Sequence, residues 1–211
     1  MMNNDNLQFF KQPLKFVRNV RRGKHIVLFY EEAEYARMLL FEFLNSGLIQ
    51  KERCSYISEE RIESVKREMY DAGISTREFL NNGLLLVHQI PNLADHSHIP
   101  PLELERLSQL ALHPGTKKNG GQPDRLVLKC IFKINTQQQI RSNLEWERDY
   151  RDRDLKRLHG TMICTYPVNN ILFTISDSIG DYGKWMNSIL ELYDGVIFAR
   201  KLWRGVAFNL N

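Results

Sequence analysis

Between His25 and His88 short apolar runs alternate with stretches of helical periodicity in the order strand, helix, strand, helix, strand. This alternation constrains the chain more than any single residue does, because strands joined through helix-length crossovers form a parallel sheet with helices on its faces. His25–Tyr30 reads HIVLFY, an unbroken apolar run of the kind that is buried on both faces of a sheet. Residues 31–46 follow with Ala36, Leu39, Leu40, Phe43 and Leu44 at helical spacing, Glu31, Glu32 and Glu34 at the first turn, and Gly47 placed for the C-terminal cap. Residues 54–57 give a second strand. Ser58 is positioned to cap a helix carrying Ile62, Val65 and Met69 that ends at Gly73. Ser75 with Glu78 has the spacing of a capping box for one more short helix, and Gly83 releases the chain into a strand over 84–88.

Farther along, residues 100–112 read as a helix, 114–123 as a turn-rich loop, and 125–134 as a long β-rich run. Thr136 and Gln139 open a helix that reaches to about His159, residues 161–168 form a fifth strand, and residues 181–193 a last helix with Trp185, Ile189 and Leu192 on one side. Two runs over 195–200 and 205–210, separated by a turn containing Arg204 and Gly205, predict an antiparallel hairpin that closes the sheet. No repeat or linker divides the chain. Residues 1–22 read as a basic N-terminal arm and 23–211 as a single α/β domain.

The chain has 211 residues, 43% hydrophobic and 26% charged, proportions that exclude disorder, collagen and coiled coil. Apolar runs such as 83–87 and 162–164 are too short to cross a membrane, and Asn3, Asn4 and Asp5 precede a basic stretch with no signal-like apolar core behind it. A cytoplasmic location is the expectation. Cys54, Cys130 and Cys164 lie far apart in apolar surroundings and read as core thiols. His96 and His98 have no partner at ligand spacing, so no metal site is expected. The net charge of +4 is unevenly spread. Lys11, Lys15, Arg18, Arg21, Arg22 and Lys24 stand against Asp5 alone in the first thirty residues. Arg18, Arg21, Arg22 and Lys24 are therefore candidate contacts to nucleic acid or an acidic partner, the other reading being a solvated tail.

A nucleotide-binding protein would keep its phosphate loop where the first strand turns into the first helix, with glycines for close approach and a lysine for the phosphates. Here that junction reads FYEEAEY over 29–35, without Gly or Lys and with three carboxylates that would repel a triphosphate. Gly115 and Gly120 match the outer glycines of such a loop, but Gly121-Gln122 stands where Lys-Ser/Thr is required and a strand follows. The run 126–134 ends in Asn135-Thr136, with no carboxylate to hold magnesium.

The blocks His25–Tyr30 with Glu31-Glu32, Phe43-Leu-Asn-Ser-Gly47-Leu48, Glu52-Arg-Cys-Ser-Tyr-Ile-Ser58 and Ala72-Gly73-Ile74 resemble the MEDS family, the sensory domain of DcmR-type regulators and of histidine kinases from methylotrophs and archaea. They are also similar to the first third of KaiC-like, RecA-fold ATPases with the phosphate loop replaced. Residues 162–166 and 193–197 are similar to later blocks, so the resemblance covers roughly 24–90 and 160–210. It implies a RecA-like three-layer sandwich, a signalling role and a small ligand.

Ligands of parallel α/β sheets bind beyond the carboxyl ends of the strands. Tyr30 and Tyr166 fall there, with Cys164 one pleat below Tyr166, and Glu147 interrupts the apolar line Ile140, Leu144, Leu155, Leu158 of the long helix. Glu147 with Arg151 is either a partly buried pair beside a ligand cavity or a solvated pair at the sheet edge, and Trp146 is a partner contact or an amphipathic anchor. The expected site is a crevice bounded by Tyr30, Glu31, Glu32, Glu147, Cys164 and Tyr166. The expected function is non-catalytic: a sensory or regulatory module without a cofactor, acting through an unidentified small ligand and a separate signalling partner, with a homo-oligomer also open. The rival readings are a KaiC-like ATP-binding regulator with an unconventional loop and a nucleic-acid-binding regulator using the basic arm.

Overall fold

The computed structural model describes residues 4–90, 124–129, 143–145, 147–149, 159–168, 179–200 and 205–210. Its elements are α1 (Asn4–Asn19), β1 (His25–Tyr30), α2 (Ala33–Ile49), β2 (Cys54–Ser58), α3 (Ile62–Asp71), α4 (Thr76–Asn81), β3 (Leu85–Gln89), β4 (Arg125–Lys129), β5 (Thr161–Pro167), α5 (Ile179–Leu190), β6 (Gly195–Ala199) and β7 (Gly205–Asn209). Residues 143–145 and 147–149 are also helical. The expected helix over 100–112, the 114–123 loop, Cys130, Trp146, Arg151, His96 and His98 lie outside the described residues.

The strands form one seven-stranded sheet in the order β3-β2-β4-β5-β1-β6-β7. All neighbours are parallel except β6 and β7, which pair antiparallel, so the C-terminal hairpin closes a mainly parallel sheet. β1 lies between β5 and β6 and every residue in it is buried, the pattern its unbroken apolar run requires. One core packs Leu39, Leu40, Phe43 and Leu44 of α2 with Val65 and Met69 of α3 against Ile26, Leu28 and Tyr56. The other packs Trp185 and Ile189 of α5 against Val27, Phe29, Met162 and Tyr166. The result is a helix, sheet, helix sandwich.

Several local signals resolve differently from the expectation. Gly47 does not cap α2, which runs on to Ile49. A Cβ at Gly47 would stand 2.6 Å from Cδ of Arg125, so the glycine serves close approach and not chain reversal. The left-handed backbone after the helix is taken by Lys51, with φ 61°. Ser58 is the last residue of β2 and its hydroxyl accepts from the Glu60 N–H at 3.2 Å, while Arg61 occupies the N-cap of α3. Ser75 stands at the N-cap of α4, but its side chain makes no cap bond. Gly73 and Gly83 do adopt positive φ, 87° and 75°, and end their helices as expected.

The first residues, read as an arm, carry α1, which packs against α2 and β7. Val17 is fully buried and Leu14, Phe16 and Val20 pack against the same core. Gln12 donates its amide to the Ala207 carbonyl at 2.7 Å and accepts the Ala207 N–H at 2.9 Å, so one side chain covers both backbone groups on the free edge of β7. α5 begins two residues earlier than expected and ends at Leu190, which leaves Tyr193 in the turn before β6.

Candidate functional site

The parallel strands bring Tyr30, Ser58, Lys129, Tyr166 and Ala199 to one edge of the sheet, but not to one face. Phe29 pairs with Tyr166 and Tyr30 with Pro167. Paired residues of parallel strands project to the same side and successive residues alternate, so Tyr30 projects toward α2 and Tyr166 toward α5. The single expected crevice is thereby divided into two clusters on opposite faces.

On the α5 face, Glu147, Cys164 and Tyr166 do come together. Glu147 is 2% exposed. Its Oε1 accepts a hydrogen bond from the Tyr166 hydroxyl, and its Oε2 accepts one from the Tyr193 hydroxyl at 2.9 Å. Asn143, one helical turn before Glu147, donates Nδ2 to the Tyr166 oxygen at 3.2 Å. Cys164 is a buried thiol outside any disulfide, beside the Tyr193 hydroxyl. The Tyr166 ring meets Phe29 at 5.9 Å and Trp185 at 6.0 Å, and Phe29 stacks on Phe198 at 5.4 Å. Burial raises the Glu147 carboxyl to about 7, against the opposing pull of the two tyrosine hydrogen bonds. Burial, with Glu147 close by, pushes Tyr166 and Tyr193 well above the ordinary phenol range. Both tyrosines therefore stay neutral hydrogen-bond donors.

On the α2 face, Tyr30 is joined by a charged network. Glu60 accepts from Lys129 Nζ at 2.9 Å, from Arg37 Nη2 at 2.7 Å and from the Tyr56 hydroxyl at 3.1 Å, and Arg37 also pairs with Glu68. Burial alone would raise Glu60, but Lys129, Arg37 and Tyr56 together hold it below the usual carboxylate range. Burial, then the charge of Glu60, pushes Tyr30 up to about 12. The Thr165 hydroxyl, on the same face at the level of Lys129, is buried with no hydrogen-bond partner among the described residues. Glu31 and Glu32 form the connection between β1 and α2, where Arg200 Nε lies 3.4 Å from Glu31 and Glu32 is the N-cap without a side-chain cap bond.

The basic residues lie at the opposite, amino-terminal edge. Arg18 pairs with Glu42 at 2.6 Å, Arg22 with Asp124 and, at 3.6 Å, with Glu52, and Lys24 with Asp194 at 3.4 Å. Arg21 and Lys24 with Lys15 line a groove of about 550 Å³ beside α1. Among the described residues, no group of three or more His, Cys, Asp or Glu could hold a metal ion. No described helix is long and apolar enough to cross a membrane.

Asn143, Tyr193, Glu60 and Lys129 escaped the sequence reading. Asn143 stands four residues before Glu147, which helical geometry places on the same face. Lys129 is a cation flanked by apolar residues in the middle of a β-rich run, and a buried cation demands an acid nearby.

The family model described as MEthanogen/methylotroph, DcmR Sensory domain (MEDS) matches residues 24–175. The chain belongs to the MEDS family. The match takes in Glu147, Cys164 and Tyr166, whereas Trp185 and Tyr193 lie beyond it. Among solved structures, the KaiC-like protein PH0186 from the hyperthermophilic archaeon Pyrococcus horikoshii OT3 is similar, with 16% identity, a TM-score of 0.53, and 85% of this chain and 72% of that chain covered. That likeness shows a shared KaiC-like, RecA-type fold for this MEDS chain. No curated protein matches the sequence.

Proposed function

We propose that this MEDS domain is a non-catalytic, cytoplasmic sensory module that binds a small ligand at the carboxyl edge of the sheet, on the α5 face, and passes the binding event to a protein partner. The observation that carries this reading is Glu147: a fully enclosed carboxylate held by Tyr166 and Tyr193 beyond the strand ends. Burying such a group costs stability, and a fold retains that cost where the group has work to do. The helical residues 143–145 and 147–149 carry Asn143 and Glu147, and α5 leads into β6 through Tyr193, so a ligand at Glu147 would touch two parts of the chain at once.

Two features support sensing over nucleotide hydrolysis. The β1–α2 connection offers Glu31 and Glu32 in place of glycines and a lysine. The last described residue of β4 is Lys129, whose ammonium engages Glu60, a poor neighbour for a magnesium ion. Native mass spectrometry of the purified chain tests the reading. The expected result is a retained small molecule whose occupancy falls in Tyr166→Ala, together with no heat of binding on titration with ATP and magnesium. A chain that retains nothing and binds ATP with magnesium would overturn it in favour of the KaiC-like nucleotide reading.

A further inference from the structure

The basic residues at the amino-terminal edge of the sheet differ in what they meet. Arg18 and Arg22 are engaged by Glu42, Asp124 and Glu52. Lys15 and Arg21 are exposed and form no ion pair among the described residues. With Lys24, held only by Asp194 at 3.4 Å, they line the groove of about 550 Å³ between α1 and the end of β7, and no described carboxylate lines it with them. Three cations on one concave surface repel one another and concentrate a positive potential there, which an anionic group seated among them relieves.

Charge is only part of what the groove offers. Phe16 and Val20 also line it, half-buried against the α2 core, and give it an apolar floor. Its other wall is the free edge of β7. Gln12 takes the Ala207 N–H and carbonyl, so these face away from β6, whereas the Leu210 N–H donates back to the Asp194 carbonyl. Antiparallel alternation turns the N–H and carbonyl of Asn209 outward like those of Ala207, toward the groove that Asn209 lines. Among the described residues nothing covers the Asn209 pair as Gln12 covers Ala207. An open strand edge beside an apolar floor and unpaired cations fits an extended peptide with acidic side chains: the edge supplies main-chain hydrogen bonds, the cations take carboxylates and the floor takes an apolar side chain between them. Nucleic acid is the poorer match, because tracking phosphates needs a run of available cations, and Arg18 and Arg22, which would extend the run, are already paired.

We infer that the groove between α1 and β7 docks an acidic, extended segment of a partner protein, which adds a strand at Asn209 and sets carboxylates on Lys15, Arg21 and Lys24. The inference rests on the sensory reading for its purpose, since it names the chemistry of the partner to which the signal passes. The groove and the Glu147 cluster share one turn of the chain. Tyr193 donates to Glu147, and the next residue, Asp194, holds Lys24 and accepts the His25 N–H at 2.8 Å.

Fluorescence anisotropy of a labelled hexapeptide of alternating glutamate and valine, titrated with the full chain, tests it. The expected result is saturable binding with a Kd below about 1 mM. Binding should be lost when lysine replaces glutamate in the peptide, and should weaken by roughly tenfold when the peptide amides are N-methylated. Lys15→Glu with Arg21→Glu should weaken it by roughly tenfold or more. Arg67→Glu with Arg77→Glu makes the same change in net charge on α3 and α4, beside β3 at the other edge of the sheet, and should leave binding unchanged. All four side chains are exposed, so the variants keep the fold. No saturable binding of the glutamate peptide, equal binding of the lysine or N-methylated peptide, or an equal loss in the Arg67 and Arg77 variant overturns the inference. A single-stranded octanucleotide that binds more tightly than the peptide, and is lost in the Lys15 and Arg21 variant, overturns it in favour of nucleic acid. Retention of a small molecule at Glu147 is read by its own measurement, so the partner chemistry and the sensory reading fail separately.

Discussion

Replacing Glu147 by glutamine should make the protein more stable in mild alkali and change little in mild acid. The folded-state carboxyl stands at about 7, above its ordinary value of 4.5, because burial outweighs the two tyrosine hydrogen bonds. A raised carboxyl favours the protonated form in the folded state, so its contribution is intact below about 4.5 and is lost as the pH rises through about 7. A displacement of that size corresponds to about 3 kcal/mol. Glutamine keeps the shape and an acceptor for one tyrosine but carries no charge, so its stability lacks this pH dependence. For a chain of this length, about 3 kcal/mol corresponds to roughly 6–12 °C in melting temperature. Thermal unfolding followed by circular dichroism at pH 5 and pH 8 should show the Tm of Glu147→Gln minus that of the wild type rising by this amount between the two. Parallel curves would refute the reasoning and mean that Glu147 is solvated or matched by a cation.

Arg125 is 5% exposed, donates Nε to Glu52 at 2.5 Å and Nη1 to the Phe43 carbonyl at 2.8 Å and the Ser46 hydroxyl at 2.7 Å, and lies over the Phe43 ring. Arg125→Met should therefore cost about 1.5–3 kcal/mol in urea unfolding, since it removes charged hydrogen bonds from a buried site while Glu52 keeps Arg22 and the Phe43 carbonyl keeps the Ser46 hydroxyl; a loss below about 1 kcal/mol would contradict the buried pairing. Gly47→Ala should cost about 1–3 kcal/mol because the new methyl enters the space of the Arg125 stem, and an unchanged denaturation midpoint would count against that contact. Cys54 has its thiol pushed up to about 12 by burial, only partly offset by Arg125. It should react with a thiol reagent at pH 8 only at the rate of unfolding, and fast native labelling would place β2 wrongly.

Legibility followed the reach of each signal. β1 could be read because a strand buried on both faces is almost wholly apolar, and the C-terminal hairpin because two β-rich runs flank a turn, patterns that survive without knowledge of their neighbours. The order of the strands could not, since β4 inserts between β2 and β5 through pairings that no local pattern encodes. The caps at Gly47 and Ser58 failed for a related reason: each residue is held by a distant or tertiary demand, Arg125 in one case and the end of β2 in the other. Helix α1 was obscured by its charges and by Pro13, although its apolar residues Leu14, Phe16 and Val17 sit on the α2 core.

At the candidate site, the strand-end rule located Tyr30 and Tyr166 at the carboxyl ends of their strands, and helical period flagged Glu147 as misplaced among apolar neighbours. What the sequence could not supply was the register, which sets Tyr30 and Tyr166 one residue apart and therefore on opposite faces. Tyr193, supplied by the turn before β6, closes the Glu147 cluster from a part of the chain 46 residues away.

The division of the sheet edge into two faces also supplies the most direct test of the account. The affinity of any small molecule found retained by the purified chain should be measured by titration into Tyr166→Phe and Tyr30→Phe, each stripped of ligand. Both substitutions remove one buried hydroxyl from the same edge of the sheet, one on the α5 face and one on the α2 face. Binding should weaken by roughly tenfold in Tyr166→Phe, through loss of the hydrogen bond to the Glu147 carboxyl, and keep wild-type affinity in Tyr30→Phe. The reverse pattern would contradict the account and move the ligand to the Glu60–Lys129 side of the sheet.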